Sequence, residues 1–157
     1  MILSLHKKPI TDFSIENTLH HRDRGSFPTW LDAFLRGPGN NIPLADGLLQ
    51  EQRWWLGPEL LPLKQLIPKC GPNCEYHEDD ASWKRRTTEI AQAINNGTKL
   101  PPLIAEYRDG KLFLADGNHR HGALALIGET QYWTAIWFNS KEDLDRYRKD
   151  LSDFQVF

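Results

Sequence analysis

The segment that most restricts the fold is residues 111–120, where a short apolar run changes directly into a helical pattern. Residues 112–115 are all apolar and long enough for one strand. Asp116-Gly117 then supplies a turn, because glycine adopts positive φ angles without steric cost. A helix follows over about residues 118–127, and Gly128 ends it. A strand that passes through one glycine into a helix is typical of a sheet covered by helices.

The segments on either side of this one extend the same architecture. We predict a helix that opens at Asp80 or Ser82 and runs to about Asn96, then a strand over residues 103–107. A tight turn over residues 108–110 leads into the strand at 111–115, so the two strands form a hairpin. Another strand covers residues 131–138, and Ser140 caps a last helix. The order predicts an α+β fold with a small mixed sheet packed with helices.

The first third of the chain is rich in glycine, proline and aromatic residues rather than in regular patterns. We predict that residues 1–58 form a loop-rich N-terminal extension packed on the core, and that residues 59–157 form one structural unit. One helix is expected in the extension, capped by Thr29 and ended by Gly37. We predict that residues 59–68 form a short extended segment followed by a turn.

Length and charge limit the function classes. With 157 residues the chain corresponds to one domain, and its net charge of -2 disfavours general nucleic-acid binding. The first ten residues lack the long apolar run of a signal peptide, and no window is long enough to span a bilayer. Two cysteines do not make a disulfide framework. We therefore expect a cytoplasmic protein with no membrane partner.

The turn at residues 116–120 has the chemistry of an anion site. The first N–H groups of a helix have no acceptor inside the helix and lie at the positive end of its dipole, so Gly117 and Asn118 place donors around an anion. Arg120 matches phosphate oxygens, and His119 can bind phosphate or transfer a proton. Asp116 can ligate Mg²⁺ or accept a proton from a hydroxyl. The alternative is an ordinary turn in which Asn118 caps the helix and the other side chains are solvated.

The run of residues 83–138 resembles the ParB/sulfiredoxin superfamily. The resemblance is carried by the helix that ends in Asn96-Gly97, by the hairpin with its Asp-Gly-Asn-His-Arg turn at 116–120, and by the strand at 132–138. The extended segment 60–68 is similar to the family's opening strand and turn. The aspartate of this signature is also that of the family's free-serine kinases.

The resemblance implies a protein that binds a nucleoside di- or triphosphate (ATP, ADP or CTP) with Mg²⁺. It implies a phosphotransferase or a nucleotide hydrolase, acting on an unknown small-molecule acceptor. In this reading Asp116 and His119 are catalytic, Asp116 holds the metal, and the phosphate-binding residues are Gly117, Asn118, His119 and Arg120. The alternative is a ParB-like nucleotide-sensing, DNA-associated regulator or a nuclease.

Two branches of the superfamily are disfavoured by the sequence. Sulfiredoxin has its reactive cysteine where this chain has Asn118, and an amide cannot form the thiol-linked intermediate. ParB partition proteins carry a DNA-binding domain after this unit, and we expect no room for one before residue 157. Nucleic acid is therefore a less favoured partner than a nucleotide.

The kinases also need an acid from the N-terminal half. Glu59, Glu75 and Asp80 are the candidates, and the acidic run at residues 75–80 could supply either a Mg²⁺ ligand or a base. The alternative is that this run is a solvated loop with favourable charge at a helix start.

Cys70, Cys74 and His77 lie close together in sequence and could begin a zinc site. No fourth ligand is evident, and a turn with free thiols is the alternative.

Overall fold

The computed structural model describes residues 9–155, with the side chains of residues 153–155 left out of the description. Along the chain the helices are α1 to α6 and the strands are β1 to β7, with one 3-10 helix at Leu63–Gln65. The elements are α1 (Ile15–Asp23), α2 (Phe27–Arg36), α3 (Ile42–Leu48), β1 (Trp54–Pro62), β2 (Leu66–Ile67), β3 (Cys70–Gly71), β4 (Tyr76–His77), α4 (Asp80–Asn95), β5 (Leu103–Arg108), β6 (Lys111–Asp116), α5 (Asn118–Leu126), β7 (Gln131–Phe138) and α6 (Lys141–Gln155).

Five strands form one mixed sheet in the order β1-β7-β5-β6-β2. The β5–β6 hairpin and the β1–β7 pair are antiparallel, whereas β5 pairs with β7, and β2 with β6, in parallel. The two short strands β3 and β4 form a separate parallel pair. This is the predicted α+β class with a small mixed sheet, and the predicted hairpin and last strand are confirmed.

Both faces of the sheet are covered by apolar side chains, so its central strand β5 is buried on both sides. Leu103, Ala105 and Tyr107 belong to the core that faces α4, α5 and α6. Ile104 belongs to a second core, which is formed mainly with α2 and α3. Alternation of side chains along a strand explains this division.

The N-terminal segment differs most from the structure that the sequence predicts. It contains three helices, whereas we predicted one helix in a loop-rich extension. Helix α2 begins at Phe27, so Thr29 lies inside it rather than capping it. The apolar face of α2 starts with Phe27 and Trp30, ahead of the residues from which the helix was predicted. Helix α1 is polar and α3 has only seven residues, so neither has a clear apolar periodicity. Strand β1 begins at Trp54 and runs across the boundary proposed at residue 58.

Helices α4 and α5 pack closely because α5 has a glycine at the contact. A Cβ atom on Gly122 would lie 2.7 Å from the Trp83 ring and 3.1 Å from the Thr87 methyl group. The small residue therefore allows α4 to approach α5. Across the described residues, the helices are too short or too polar to cross a bilayer.

Candidate functional site

The turn between β6 and α5 has the geometry that the sequence predicts. Gly117 lies in the left-handed region, with φ 95° and ψ 22°, and α5 begins at the next residue. The amide of His121 donates to the carbonyl of Gly117 at 2.8 Å, so the amides of residues 118–120 precede the first hydrogen bond inside the helix. A Cβ atom on Gly117 would lie 2.8 Å from Leu103 Cδ2 and from Arg120 Nη2. Glycine is therefore required both by its dihedral angles and by space.

Asp116 and Arg120 form an ion pair across the turn. Arg120 Nη2 donates to Asp116 Oδ2 at 3.2 Å and to the carbonyl of Pro102 at 2.9 Å. The other Asp116 oxygen, Oδ1, accepts from Asn41 Nδ2 at 3.0 Å. The guanidinium also lies 5.8 Å from the centre of the Phe34 ring. This pair is thus joined to the N-terminal helices and to the segment before β5.

Asn118 uses its side chain to hold a neighbouring loop. Its Oδ1 atom accepts from the backbone amides of Lys69 at 2.9 Å and of Cys70 at 3.2 Å. A carbonyl oxygen has two lone pairs, so one amide side chain can satisfy both donors. Asn118 therefore fixes the start of β3 against the first turn of α5.

His119 makes the second contact of the turn with a carboxylate, that of Glu78. The distance from His119 Nε2 to Glu78 Oε2 is 2.6 Å, and Glu78 Oε1 accepts from Ser82 Oγ at 2.9 Å and from Arg86 Nη1 at 3.3 Å. The imidazole also packs on the indole of Trp83, with ring centres 4.9 Å apart. Burial pushes the pKa of Glu78 upward, but the hydrogen bonds from His119 and Ser82 outweigh it, so the pKa lies below its ordinary value. Glu78 is therefore ionised at neutral pH.

The loop that carries Glu78 is held by its own backbone. Tyr76 N donates to the carbonyl of Lys69 at 2.9 Å, and Glu78 N donates to the carbonyl of Gly71 at 3.2 Å. Together with the contact from Asn118, these bonds set the distance between Glu78 and α5. The small β3–β4 pair therefore positions the Glu78 side chain.

The thiols of this loop are both free. Burial, and then the nearby Glu78 and Cys74, raise the pKa of Cys70, so its thiol is protonated at neutral pH. His77 is engaged through Nδ1 with the carbonyl of Pro72 at 2.9 Å. Among the described side chains, no three His, Cys, Asp or Glu residues are grouped so that they could hold a metal ion.

The three acids considered from sequence lie elsewhere. Glu59 is exposed on β1, at the sheet edge opposite β6 and β2, and it acts electrostatically on Tyr147 of α6. Glu75 and Asp80 are exposed on either side of Glu78. Glu78 was part of the acidic run but was not singled out. Ser82 and Arg86 lie four residues apart on α4, so they share one face of that helix, and Glu78 lies just before the Asp79 cap on the same side, where it accepts from both.

Comparison with known proteins gives a structural likeness only. No family model and no curated protein matches the chain. Among solved structures, it is similar to sulfiredoxin from Arabidopsis thaliana at 20% identity and a TM-score of 0.42, over 60% of this chain and 96% of that one. It is also similar to a conserved hypothetical protein from Pyrococcus furiosus (17% identity, TM-score 0.39, 50% of this chain) and to a Pnob8-like ParB N-domain (16%, 0.37, 66%).

The chain spans 31% and 38% of the length of the last two structures. At this level of similarity the likeness concerns the fold, and the site is interpreted from its own contacts.

Proposed function

We propose that the first turn of α5 binds the phosphates of a nucleoside di- or triphosphate, and that the protein is a small phosphotransferase or nucleotide hydrolase. The observation that carries the proposal is the combination at one helix start. Amides that precede the first intrahelical hydrogen bond lie beside a histidine whose imidazole contacts a carboxylate. Free amides bind anions, and an imidazole oriented by a carboxylate moves protons.

The phosphate-binding groups are divided between backbone and side chains. Residues Gly117, Asn118, His119 and Arg120 form the cradle, chiefly through the amides of the first helical turn. The Asn118 and Arg120 side chains hold the cradle in shape, because each already bonds to a neighbouring segment. This assigns Arg120 a positioning role in the absence of ligand, with the guanidinium at the edge of the phosphate site.

Magnesium fits this site as an ion that arrives with the nucleotide. Asp116 is the carboxylate at the turn, and each of its oxygens accepts one N–H donor, which leaves a lone pair on each. Mg²⁺ in nucleotide sites is commonly held by one or two carboxylates, the phosphates and water. Asp116 would be such a ligand, and the ion would neutralise charge on the phosphates.

His119 would act as the general base. Because Glu78 is ionised, Nε2 of His119 carries its proton toward Glu78, and Nδ1 of the neutral ring is left as the acceptor. Nδ1 would take the proton from a hydroxyl group of the acceptor or from water as the oxygen attacks the terminal phosphorus. The bond from that phosphorus to the bridging oxygen breaks, and the shortened nucleotide leaves. Glu78 is then a positioning residue that fixes the tautomer of His119.

Binding and chemistry are tested separately. We expect ATP, ADP, CTP or GTP, with Mg²⁺, to raise the melting temperature, while adenosine and cytidine leave it unchanged because they lack phosphate. If no nucleotide raises the melting temperature of the wild-type protein, the proposal is wrong.

Glu78→Gln tests the base. We expect about a 100-fold slower release or transfer of phosphate, because general-base catalysis contributes about 10²–10⁴-fold. The nucleotide-induced shift should remain, and Glu75→Gln, which changes an exposed acid of the same loop, should behave as wild type. Equal rates in the Glu78 and Glu75 variants would remove His119 and Glu78 from the chemistry.

A second candidate, a nucleotide-sensing regulator that associates with DNA or a nuclease, is favoured by the basic start of α4. Lys84 and Arg85 are exposed there, and Arg86 lies beside Glu78 at the proposed site. In a gel-shift experiment, binding to duplex DNA that requires nucleotide and falls with Lys84→Met and Arg85→Met would support this candidate. Binding that disappears at moderate salt without nucleotide dependence would count against it.

A further inference from the structure

We propose a second binding site, independent of the proposed nucleotide site, for a small amphiphilic carboxylate such as a medium-chain fatty acid. It lies at the other end of β6 from Asp116, in a cleft between the β5–β6 hairpin, the 3-10 helix and α6. This hairpin cleft has a volume of about 530 Å³, within the range of roughly 300–1,000 Å³ that is typical of ligand pockets. The residues that line it include Lys64, Ile67, Tyr107, Lys111, Asp150 and Leu151.

The walls of the hairpin cleft are mainly apolar and partly uncovered. Helix α6 packs on β1 and β7, and its last turns form one wall of the cleft opposite the start of β6. Ile67 of β2 and Leu151 of α6 line the cleft and remain 37% and 38% exposed. Leu144 and Tyr147 of the same helix are buried, whereas Leu151 is not. A ligand with a hydrocarbon body would remove this apolar surface from water, which is favourable.

An unpaired hydroxyl group lies at the same place. Tyr107 lines the hairpin cleft and is only 2% exposed, and its hydroxyl is buried without a hydrogen-bond partner among the described residues. The Tyr107 ring packs against the rings of Phe138 and Tyr147, with ring centres 5.3 and 5.8 Å apart. Burying an unpaired donor is unfavourable, so a ligand oxygen that enters the cleft and reaches this hydroxyl would gain a hydrogen bond.

The charges of the hairpin cleft select an anion. Lys64 and Lys111 line it from two sides, and among the described side chains, those of residues 9–152, neither lysine has a carboxylate within 4 Å. Asp150 lines the wall formed by α6, so the cleft has two cations and one anion. A carboxylate accepts from ammonium groups and from a phenol, whereas an alcohol lacks the charge and an amine would face two cations.

The test compares three ligands with the same alkyl chain: octanoate, octanol and octylamine, measured by isothermal titration calorimetry on the full chain. We expect octanoate to bind most tightly. Lys64→Met and Lys111→Met should each weaken octanoate binding about tenfold, the effect of about 1.4 kcal/mol. Lys84→Met, which removes an exposed lysine on α4, should bind octanoate as wild type. Equal affinities for octanoate and octanol, tighter binding of octylamine, or no binding at about 1 mM would overturn the proposal.

Tyr107→Phe is the second variant, and it separates a ligand contact from a structural role. Removing an unpartnered hydroxyl should leave the melting temperature unchanged or higher, while octanoate binding weakens about fivefold through loss of one hydrogen bond. Unchanged octanoate affinity in this variant would show that the hydroxyl is not part of the site. The nucleotide-induced shift should be the same in all of these variants, so the two proposals fail independently.

Discussion

The two carboxylates of the α5 turn differ in the group that each one contacts and in what surrounds them. Asp116 pairs with Arg120, whose guanidinium is charged at every ordinary pH, and the pair is tied to Asn41, Pro102 and the sheet. Glu78 contacts His119, an imidazole that can donate or accept a proton, on the side of α4 and the β3–β4 loop.

Under the proposed function, the Asp116–Arg120 contact is structural, whereas the Glu78–His119 contact takes part in the chemistry. A permanent pair whose carboxylate oxygens both accept hydrogen bonds can hold the turn but cannot easily release or accept protons. A carboxylate–imidazole pair can change protonation and still remain in contact. We therefore expect changes on the Asp116 side to reduce stability first, and changes on the Glu78 side to reduce activity first.

The largest stability effect should come from Arg120→Met. The side chains of Asp116 and Arg120 are only 11% and 15% exposed, so the substitution leaves a nearly buried carboxylate without its cation. Removing one partner of a buried pair commonly costs about 3–5 kcal/mol, and we expect about 3 kcal/mol here because some solvent reaches the pair. Urea unfolding measures the loss, and Arg85→Met, which removes an exposed arginine of α4, is the control. A loss as small as that of the control would contradict a structural role for the pair.

Gly117→Ala should have the next largest effect. Gly117 and Gly97 both have positive φ angles, 95° and 92°, so alanine is strained at both positions. Only at Gly117 would the added Cβ overlap Leu103 and Arg120, since nothing lies within 4 Å of the corresponding atom at Gly97. We expect Gly97→Ala to cost about 1 kcal/mol and Gly117→Ala about 1 kcal/mol more. Equal losses, measured by thermal and urea unfolding, would mean that the turn can relax.

Asn41→Ser tests how the N-terminal helices support the Asp116 side. Asn41 caps α3, because its Oδ1 accepts from Leu44 N, and its Nδ2 donates to Asp116. Serine is also a good cap, so the substitution mainly removes the bond to Asp116 and should cost about 1 kcal/mol. Combined with Asp116→Asn in a double-mutant cycle, the coupling energy should also be about 1 kcal/mol. Additive losses would show that Asn41 acts only as a cap.

The same contrast explains what the sequence could predict. The hairpin, α5 and β7 follow one another, and each has a local pattern of apolar residues, glycine and turn residues, so their types and the positive φ of Gly117 were accessible. The partners of the turn were not, because Asn41 lies 75 residues from Asp116 and Glu78 lies 41 residues from His119. No periodicity encodes such contacts, which depend on the packing of α2, α3 and the β3–β4 loop against α5.

The smallest expected effect concerns the acid stability contributed by Glu78. The pKa of Glu78 is lower in the folded protein than its ordinary value of 4.5, because hydrogen bonds from His119 and Ser82 outweigh the effect of burial. The folded state therefore binds fewer protons than the unfolded state in this range, and stability rises with pH. The contribution is fully present above the ordinary pKa and is lost as the pH falls through the lowered one.

Glu78→Gln removes this titration while it keeps the shape of the side chain. Urea unfolding between about pH 6 and about pH 3 should therefore show a shallower loss of stability in the variant than in the wild-type protein. Asp12 and Glu16 also have lowered pKa values, but they are present in both proteins, so the difference between the two curves isolates Glu78. Parallel curves would mean that the hydrogen bonds to Glu78 do not lower its pKa in the folded protein. The tautomer of His119 on which the proposed base depends would then lose its support. If the two stability curves differ only at acid pH, both contacts of the turn are intact at neutral pH. The contact that is lost on acidification is then the one made by Glu78.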